Sequence, residues 1–268
     1  MRKSTKFMVG DIETLPHKLG KNDENYTHVP YAGGFMMIDT EKETDPNDIV
    51  LFYADDYKHV VDDFPSMSTK MLSDMINRII KDTKSVRKCT VIYYINLAKF
   101  DGIILLRHFT LHHKELIIKP IVQNSRIYKI SVNKQTPKGG LREIFRFQDS
   151  LLLLQGKLED LGSCPESGSK EEIDHDRVSV DNPGINKGKY ISYLKQDIYL
   201  LGRVMQNAQS IYWGLYKVDV VDKLTISSMA LSIFRKQYLH EDDPNKRIYI
   251  PQGNVDCYSQ LGSLVVGK

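Results

Sequence analysis

The apolar positions of this chain come in two rhythms, alternation over short blocks and a three-to-four spacing over longer ones, and these predict its elements. Residues 7–14, Phe7-Met8-Val9-Gly10-Asp11-Ile12-Glu13-Thr14, read as a buried strand that ends in two acids. Residues 15–30 read as a polar loop punctuated by Pro16 and Gly20, and residues 31–39 and 49–54 as two more strands around a charged turn. That order predicts an antiparallel meander starting with the acid-bearing strand. Over residues 68–81, Met71, Leu72, Met75, Ile76, Ile79 and Ile80 fall on one helical face. Residues 90–95 are β-rich and lead through Asn96-Leu97-Ala98-Lys99-Phe100-Asp101-Gly102 into a helix expected over 103–109. Three further strands are expected over 116–123, 125–133 and 141–148, with Pro137-Lys138-Gly139-Gly140 turning between the last two. A short helix starts near Lys157, residues 162–189 read as loop, and amphipathic helices are expected over 190–212 and 221–239. A meander followed by alternating helices and strands predicts an α/β fold, a mixed β-sheet flanked by helices.

Composition narrows the class. With 268 residues, 41% hydrophobic and 26% charged, the chain can bury a large core as one big domain or two modest ones. A net charge of +3 permits a polyanionic partner without demanding one. Cys89, Cys164 and Cys257 are odd in number and far apart, which excludes a disulfide framework and points to a reducing compartment. No apolar run approaches the roughly 18 residues of a membrane span, so no membrane partner is expected. Only Met1–Lys6 precede the first strand, too few for a leader, so the protein is expected to act where it is made rather than be secreted.

Chemistry enters with the acids. Alternation along a strand points Asp11 and Glu13 to the same side, where they repel each other unless a cation sits between them. Hard divalent ions held by oxygen are the usual answer. Asp101 stands at a strand-to-helix junction, where a lone Asp is commonly a cap. Tyr193 and Asp197 lie four apart on one face of the late helix, beside the core stripe of Tyr190, Leu194, Leu201 and Val204. Together, acids from three separate elements suit a two-ion phosphodiester site, with ions about 3.5–4 Å apart. The Tyr193 hydroxyl, one turn from the last acid, can orient the attacking water.

Three blocks carry a resemblance: Asp11-Ile12-Glu13-Thr14, Asn96-Leu97-Ala98-Lys99-Phe100-Asp101-Gly102 and Tyr193-Leu194-Lys195-Gln196-Asp197. They resemble the exonuclease motifs of family-B DNA polymerases, specifically the protein-primed branch of small phages and linear mitochondrial plasmids. The likeness covers about residues 7–239. It implies a ribonuclease-H-like 3′–5′ proofreading domain over 1–212, followed over 213–268 by a helical linker and a truncated start of the polymerase domain. It implies Mg²⁺ or Mn²⁺, two ions, held by Asp11, Glu13, Asp101 and Asp197, with Tyr193 positioning water. Lys170, in a Lys-x-x-hydrophobic motif, would assist catalysis. Thr14, Asn96 and Phe100, with Ser150-Leu151, would touch the single-stranded 3′ end of DNA. Tyr93 joins Phe100 as a candidate base-stacking aromatic on its residue type, with core packing as the other reading of a tyrosine in a strand.

Some positions depart from that pattern. Ile95 stands where the family usually has His, and Gln155-Gly156 falls where Pro is common. The palm motifs are missing, so polymerase activity is not expected of this chain alone. The resemblance further implies DNA replication as the process, a terminal protein primer as a second partner and a mitochondrial address. Two other readings compete: a catalytically silent relic that binds single-stranded DNA or a terminal protein, and a different ribonuclease-H-like nuclease. Intact acids argue against the first, and the Tyr-containing third block against the second. His112-His113 and the 240–243 acidic run read as exposed polar loops.

Overall fold

The computed structural model describes residues 3–18, 26–84, 89–156, 158–161 and 187–238. Two compact units divide the chain, Met1–Met229 and Ala230–Lys268. In the second, the described part is a single run of helix in which Phe234 and Tyr238, one turn apart, stack at 5.4 Å.

The first unit is built on a seven-stranded mixed sheet. Its strands are β1 (Lys6–Lys18), β2 (Tyr26–Asp39), β3 (Val50–Tyr53), β4 (Thr90–Tyr94), β5 (Ile117–Gln123), β6 (Arg126–Gln135) and β7 (Leu141–Asp149), in the order β3-β2-β1-β4-β7-β6-β5. β1–β2–β3 is the expected antiparallel meander, β4 runs parallel to both β1 and β7, and β7–β6–β5 forms a second meander. Apolar Phe7, Met8 and Val9 on central β1 are fully buried, as a strand covered on both faces requires.

The helices among the described residues are α1 (Phe64–Thr83), α2 (Asp101–His112), α3 (Leu158–Leu161), α4 (Lys187–Tyr216) and α5 (Ile226–Tyr238). Asp63 caps α1 by accepting from the Ser66 N–H at 2.9 Å, and Met71, Leu72, Met75, Ile76 and Ile79 turn inward as the spacing predicts. Adjacent glycines on β2 show how the layers stack. A methyl on Gly33 would meet Met75 Sδ of α1 at 3.1 Å, and one on Gly34 would meet Ile198 Cδ1 of α4 at 3.0 Å. Successive strand residues face opposite ways, so α1 and α4 cover opposite faces. α4 packs tightly on the sheet at Gly202, whose missing Cβ would stand 2.7 Å from Met36 Cε.

Two expected elements come out differently. Leu15–Lys18 and Tyr26–Pro30 are strand rather than loop, extending the β1–β2 hairpin with Leu15 and Val29 buried. Beyond Val9 β1 has no β4 partner, and an open edge tolerates Pro16 because no ladder bond needs its missing N–H. The helix expected over 221–239 begins later, at Ile226. Val220–Asp222 is a single 3-10 turn, and Thr225 and Ser228 cap α5 reciprocally, each side chain accepting from the other's N–H at 3.2 and 3.1 Å. No helix among the described residues is long and apolar enough to cross a membrane.

Candidate active site

Strand register brings the acids together. Asp11 pairs across the hairpin with Gly34 and Glu13 with Ala32, and cross-strand partners share a face. Gly34 is the residue that admits Ile198, so Asp11 and Glu13 lie under α4, and Asp197 precedes Ile198 on that helix. One carboxylate oxygen from each of Asp11, Glu13 and Asp197 lies within 4.8 Å of the other two.

Asp101 stands outside that mutual 4.8 Å and closes the site from α2. Only 3% exposed, it has an Oδ1 with no hydrogen-bond partner among the described residues. Burial, then the charge of Asp11, with Glu13 and Asp149 adding to it, hold its carboxyl well above the usual carboxylate range. A buried acid facing other acids is unfavourable alone. The arrangement therefore has the makings of a cation site: carboxylate oxygens alone, a donor set for a hard divalent ion, and a buried acceptor left over.

Asp149 fixes where Asp101 sits. At the end of β7, opposite Tyr94 of β4, it accepts from the backbone N–H groups of Asn96, Ala98 and Leu151 at 3.1, 2.9 and 2.9 Å. These bonds pin the turn between β4 and α2, in which Asn96 adopts a left-handed φ of 58°, a conformation asparagine tolerates. Burial outweighs those bonds and raises the Asp149 carboxyl. Tyr94 crosses β1 at Gly10, where a Cβ would stand 2.8 Å from its Cζ and Oη; glycine is required there. The Tyr94 hydroxyl is buried with no hydrogen-bond partner among the described residues, and burial, Asp101 and Asp11 all raise its pKa. Tyr31 lies at the β1–β2 bulge between Glu13 and Thr14 and packs edge-on against Tyr53 and Tyr190. Burial, then Glu13, raise its hydroxyl pKa. Sequence reading missed Asp149, Tyr94 and Tyr31 as site neighbours. The available signal was Asp149 immediately before Ser150-Leu151 at a strand end.

The other expected site residues divide. Tyr193 is half-buried on α4, one turn before Asp197. Thr14 is half-buried, its Oγ1 3.1 Å from His28 Nδ1, and Asn96 is exposed. Phe100 is 36% exposed and meets the His28 ring edge-on at 5.2 Å. Leu151 is half-buried. Two expectations need correction. Tyr93 is fully buried, donating to the Val221 carbonyl at 3.1 Å and packing edge-on against Phe7, so its face is closed to bases. Ser150 is buried and donates to the Tyr94 carbonyl at 3.2 Å; its hydroxyl ties β7 to β4. Lys170 lies outside the described residues. His113, read as an exposed loop residue, is 5% exposed at the end of α2.

Comparison with known proteins adds five findings. A family model described as DNA polymerase type B, organellar and viral, matches residues 81–189 and 169–259, well over half the chain. A probable DNA polymerase of Neurospora intermedia is 25% identical over 190 residues, covering 56% of this chain and 19% of that protein. One of Agaricus bitorquis is 24% identical over 263 residues, covering 87% of this chain and 31% of its own length. Among solved structures, Phi29 DNA polymerase in complex with single-stranded DNA superposes with a TM-score of 0.58 at 18% identity, over 87% of this chain and 35% of that one. Its ternary complex with primer-template DNA and incoming nucleotides gives 0.57 at 17% identity. This chain thus has the fold of part of that polymerase and spans about a third or less of each of these proteins.

Proposed function

The chain belongs to the organellar and viral type B DNA polymerases, and from that premise we propose that it carries a 3′–5′ exonuclease that trims single-stranded DNA during replication. The reading is of a protein-primed polymerase's proofreading region, over about residues 1–212, on an α/β sheet of the ribonuclease-H-like kind. One observation carries it: the carboxylates of Asp11, Glu13 and Asp197 meet within 4.8 Å, and buried Asp101 lies near enough for its carboxyl to feel the charges of Asp11 and Glu13.

In this reading Asp11, Glu13, Asp101 and Asp197 hold two Mg²⁺ or Mn²⁺ ions. When bound, such ions activate a water and stabilise the departing 3′ oxygen of a phosphodiester. The chain's own residues do the rest. Tyr193, a turn from Asp197, orients the attacking water by its hydroxyl. Asp149 holds the Asn96–Ala98 turn and so keeps Asp101 in place. Phe100 offers a part-exposed ring to a terminal base, Thr14 and Asn96 flank it, and Leu151 adds apolar contact. A paired 3′ end cannot splay into such a site, which sets the preference for single strands.

Incubation of the full chain with 3′-end-labelled single-stranded DNA and Mn²⁺ tests this. Release of labelled mononucleotide, lost in Asp11→Ala and with chelator, is expected. A label that stays intact overturns the nuclease and favours a silent DNA-binding relic.

A further inference from the structure

Tyr94 is fully buried at the last position of β4, and its hydroxyl has no hydrogen-bond partner among the described residues. A buried O–H without an acceptor is unfavourable, and a phenylalanine would keep the ring's contacts without that cost. The surroundings hold the ring still. It meets Phe147 edge-on at 5.7 Å and crosses β1 at Gly10, where a Cβ would stand 2.8 Å from both Cζ and Oη. Its own carbonyl accepts from the Ser150 hydroxyl at 3.2 Å, and Asp149, its pair in the β4–β7 ladder, holds the turn that follows.

These fixed points border the acids. Asp11 follows Gly10, and the turn after β4 ends at Asp101, the first residue of α2. Burial first, then the charges of Asp101 and Asp11, hold the phenol's pKa high, so the group remains a donor. Asp101 Oδ1 is the matching acceptor, buried and likewise without a hydrogen-bond partner among the described residues. A carboxylate offers about four acceptor positions, and a cation on one oxygen leaves others for the surrounding donors that orient it. We propose that Tyr94 is a positioning residue whose O–H donates to the Asp101 carboxylate when that carboxylate holds a divalent cation. This rests on the reading of the four acids as a cation site, and adds a donor from β4 that fixes which way Asp101 faces.

Tyr94→Phe in the full chain tests it by two readouts, neither of them cleavage. The free-ion resonance of Mn²⁺ should show binding weakened by about 10–100-fold, as expected when a hydrogen bond behind a metal ligand is lost. Melting of the metal-free protein should stay level or rise, because the variant removes a hydroxyl that has no acceptor. A hydroxyl that only supports the fold would do the opposite, lowering the melting temperature and sparing Mn²⁺ affinity. In Asp101→Asn, which keeps the other three acids, Tyr94→Phe should cost no further affinity. Tyr93→Phe is the control: it loses the bond to the Val221 carbonyl, so melting should fall while Mn²⁺ affinity holds. Equal Mn²⁺ affinity in wild type and Tyr94→Phe, an additive loss with Asp101→Asn, or the same loss in Tyr93→Phe overturns the proposal. A wild type that cuts single-stranded DNA, beside a Tyr94→Phe chain that binds Mn²⁺ equally well, removes the tyrosine's role and leaves the nuclease standing. Tyr94-sensitive Mn²⁺ binding in a protein that cuts nothing does the reverse.

Discussion

Asp149 accepts a hydrogen bond from the backbone N–H of Ala98 at 2.9 Å, and through that bond the end of one strand sets the start of the helix that carries Asp101. Its other oxygen accepts from Asn96 and Leu151, so three N–H groups depend on one buried carboxylate. Asp149→Ala leaves them without that acceptor, at about 1–3 kcal/mol for each group that stays buried and unpaired. Thermal melting should drop, and cleavage measured well below the melting point should fall further than the unfolded fraction explains. Asp149→Asn, which keeps one carbonyl acceptor, should fall between. An Ala variant that cuts at the wild-type rate would remove the positioning role.

Asp101 gives a pH dependence with a definite sign. Its folded pKa is raised by burial and by Asp11 and Glu13. The folded state thus holds a proton that the unfolded state releases. This contribution is complete below the ordinary carboxylate pKa and is lost as pH rises through the raised value. Melting of metal-free protein should therefore decline with rising pH through that window, and Asp101→Asn should flatten the decline. Mn²⁺ should raise the wild-type melting temperature and do so much less in the variant. A variant with the wild-type pH slope contradicts this.

Phe100→Ala separates binding from folding. The ring is 36% exposed, so its removal should leave melting nearly unchanged. Loss of one stacked base costs about 1–3 kcal/mol. Binding of a short single strand should weaken accordingly, and Phe100→Trp should restore it. Unchanged affinity in the Ala variant would take Phe100 out of the interface.

His108 predicts an acid sensitivity remote from the carboxylates. Burial first, then His112 and His113, depress its pKa from 6.5 to about 3. A depressed histidine contributes stability above its unfolded pKa and loses it as pH falls through the folded one. His108→Gln, which can keep the bond to Ser73, should lose less stability than wild type between pH 6.5 and about 3. Denaturant melts across that range measure the difference, and parallel curves would refute it.

Much of this was legible because periodicity is local. The alternation of residues 7–14 put Asp11 and Glu13 on one side, and the spacing of α4 put Tyr193 a turn from Asp197. What the chain did not reveal depends on pairing. Pro16 and Gly20 suggested a loop, yet an open β1 edge lets the hairpin continue and carries His28 to Thr14. Tyr93 and Tyr94 are indistinguishable by composition. Only the strand's place between β1 and β7 buries both and leaves Phe100, on the turn beyond, exposed. Asp149 was hidden for the same reason: two of its three partners, Asn96 and Ala98, lie more than fifty residues away, across the parallel β4–β7 ladder.

The central claim is that acids from β1, α2 and α4 share divalent cations. Titration of the full chain with Mn²⁺, followed by the loss of the free-ion paramagnetic resonance signal, tests it most directly. Two ions bound per chain are expected in wild type, with binding weakened by Asp197→Ala and by Asp11→Ala. Mn²⁺ that stays free in the presence of wild-type protein, or binds the Asp197→Ala chain equally well, would contradict it.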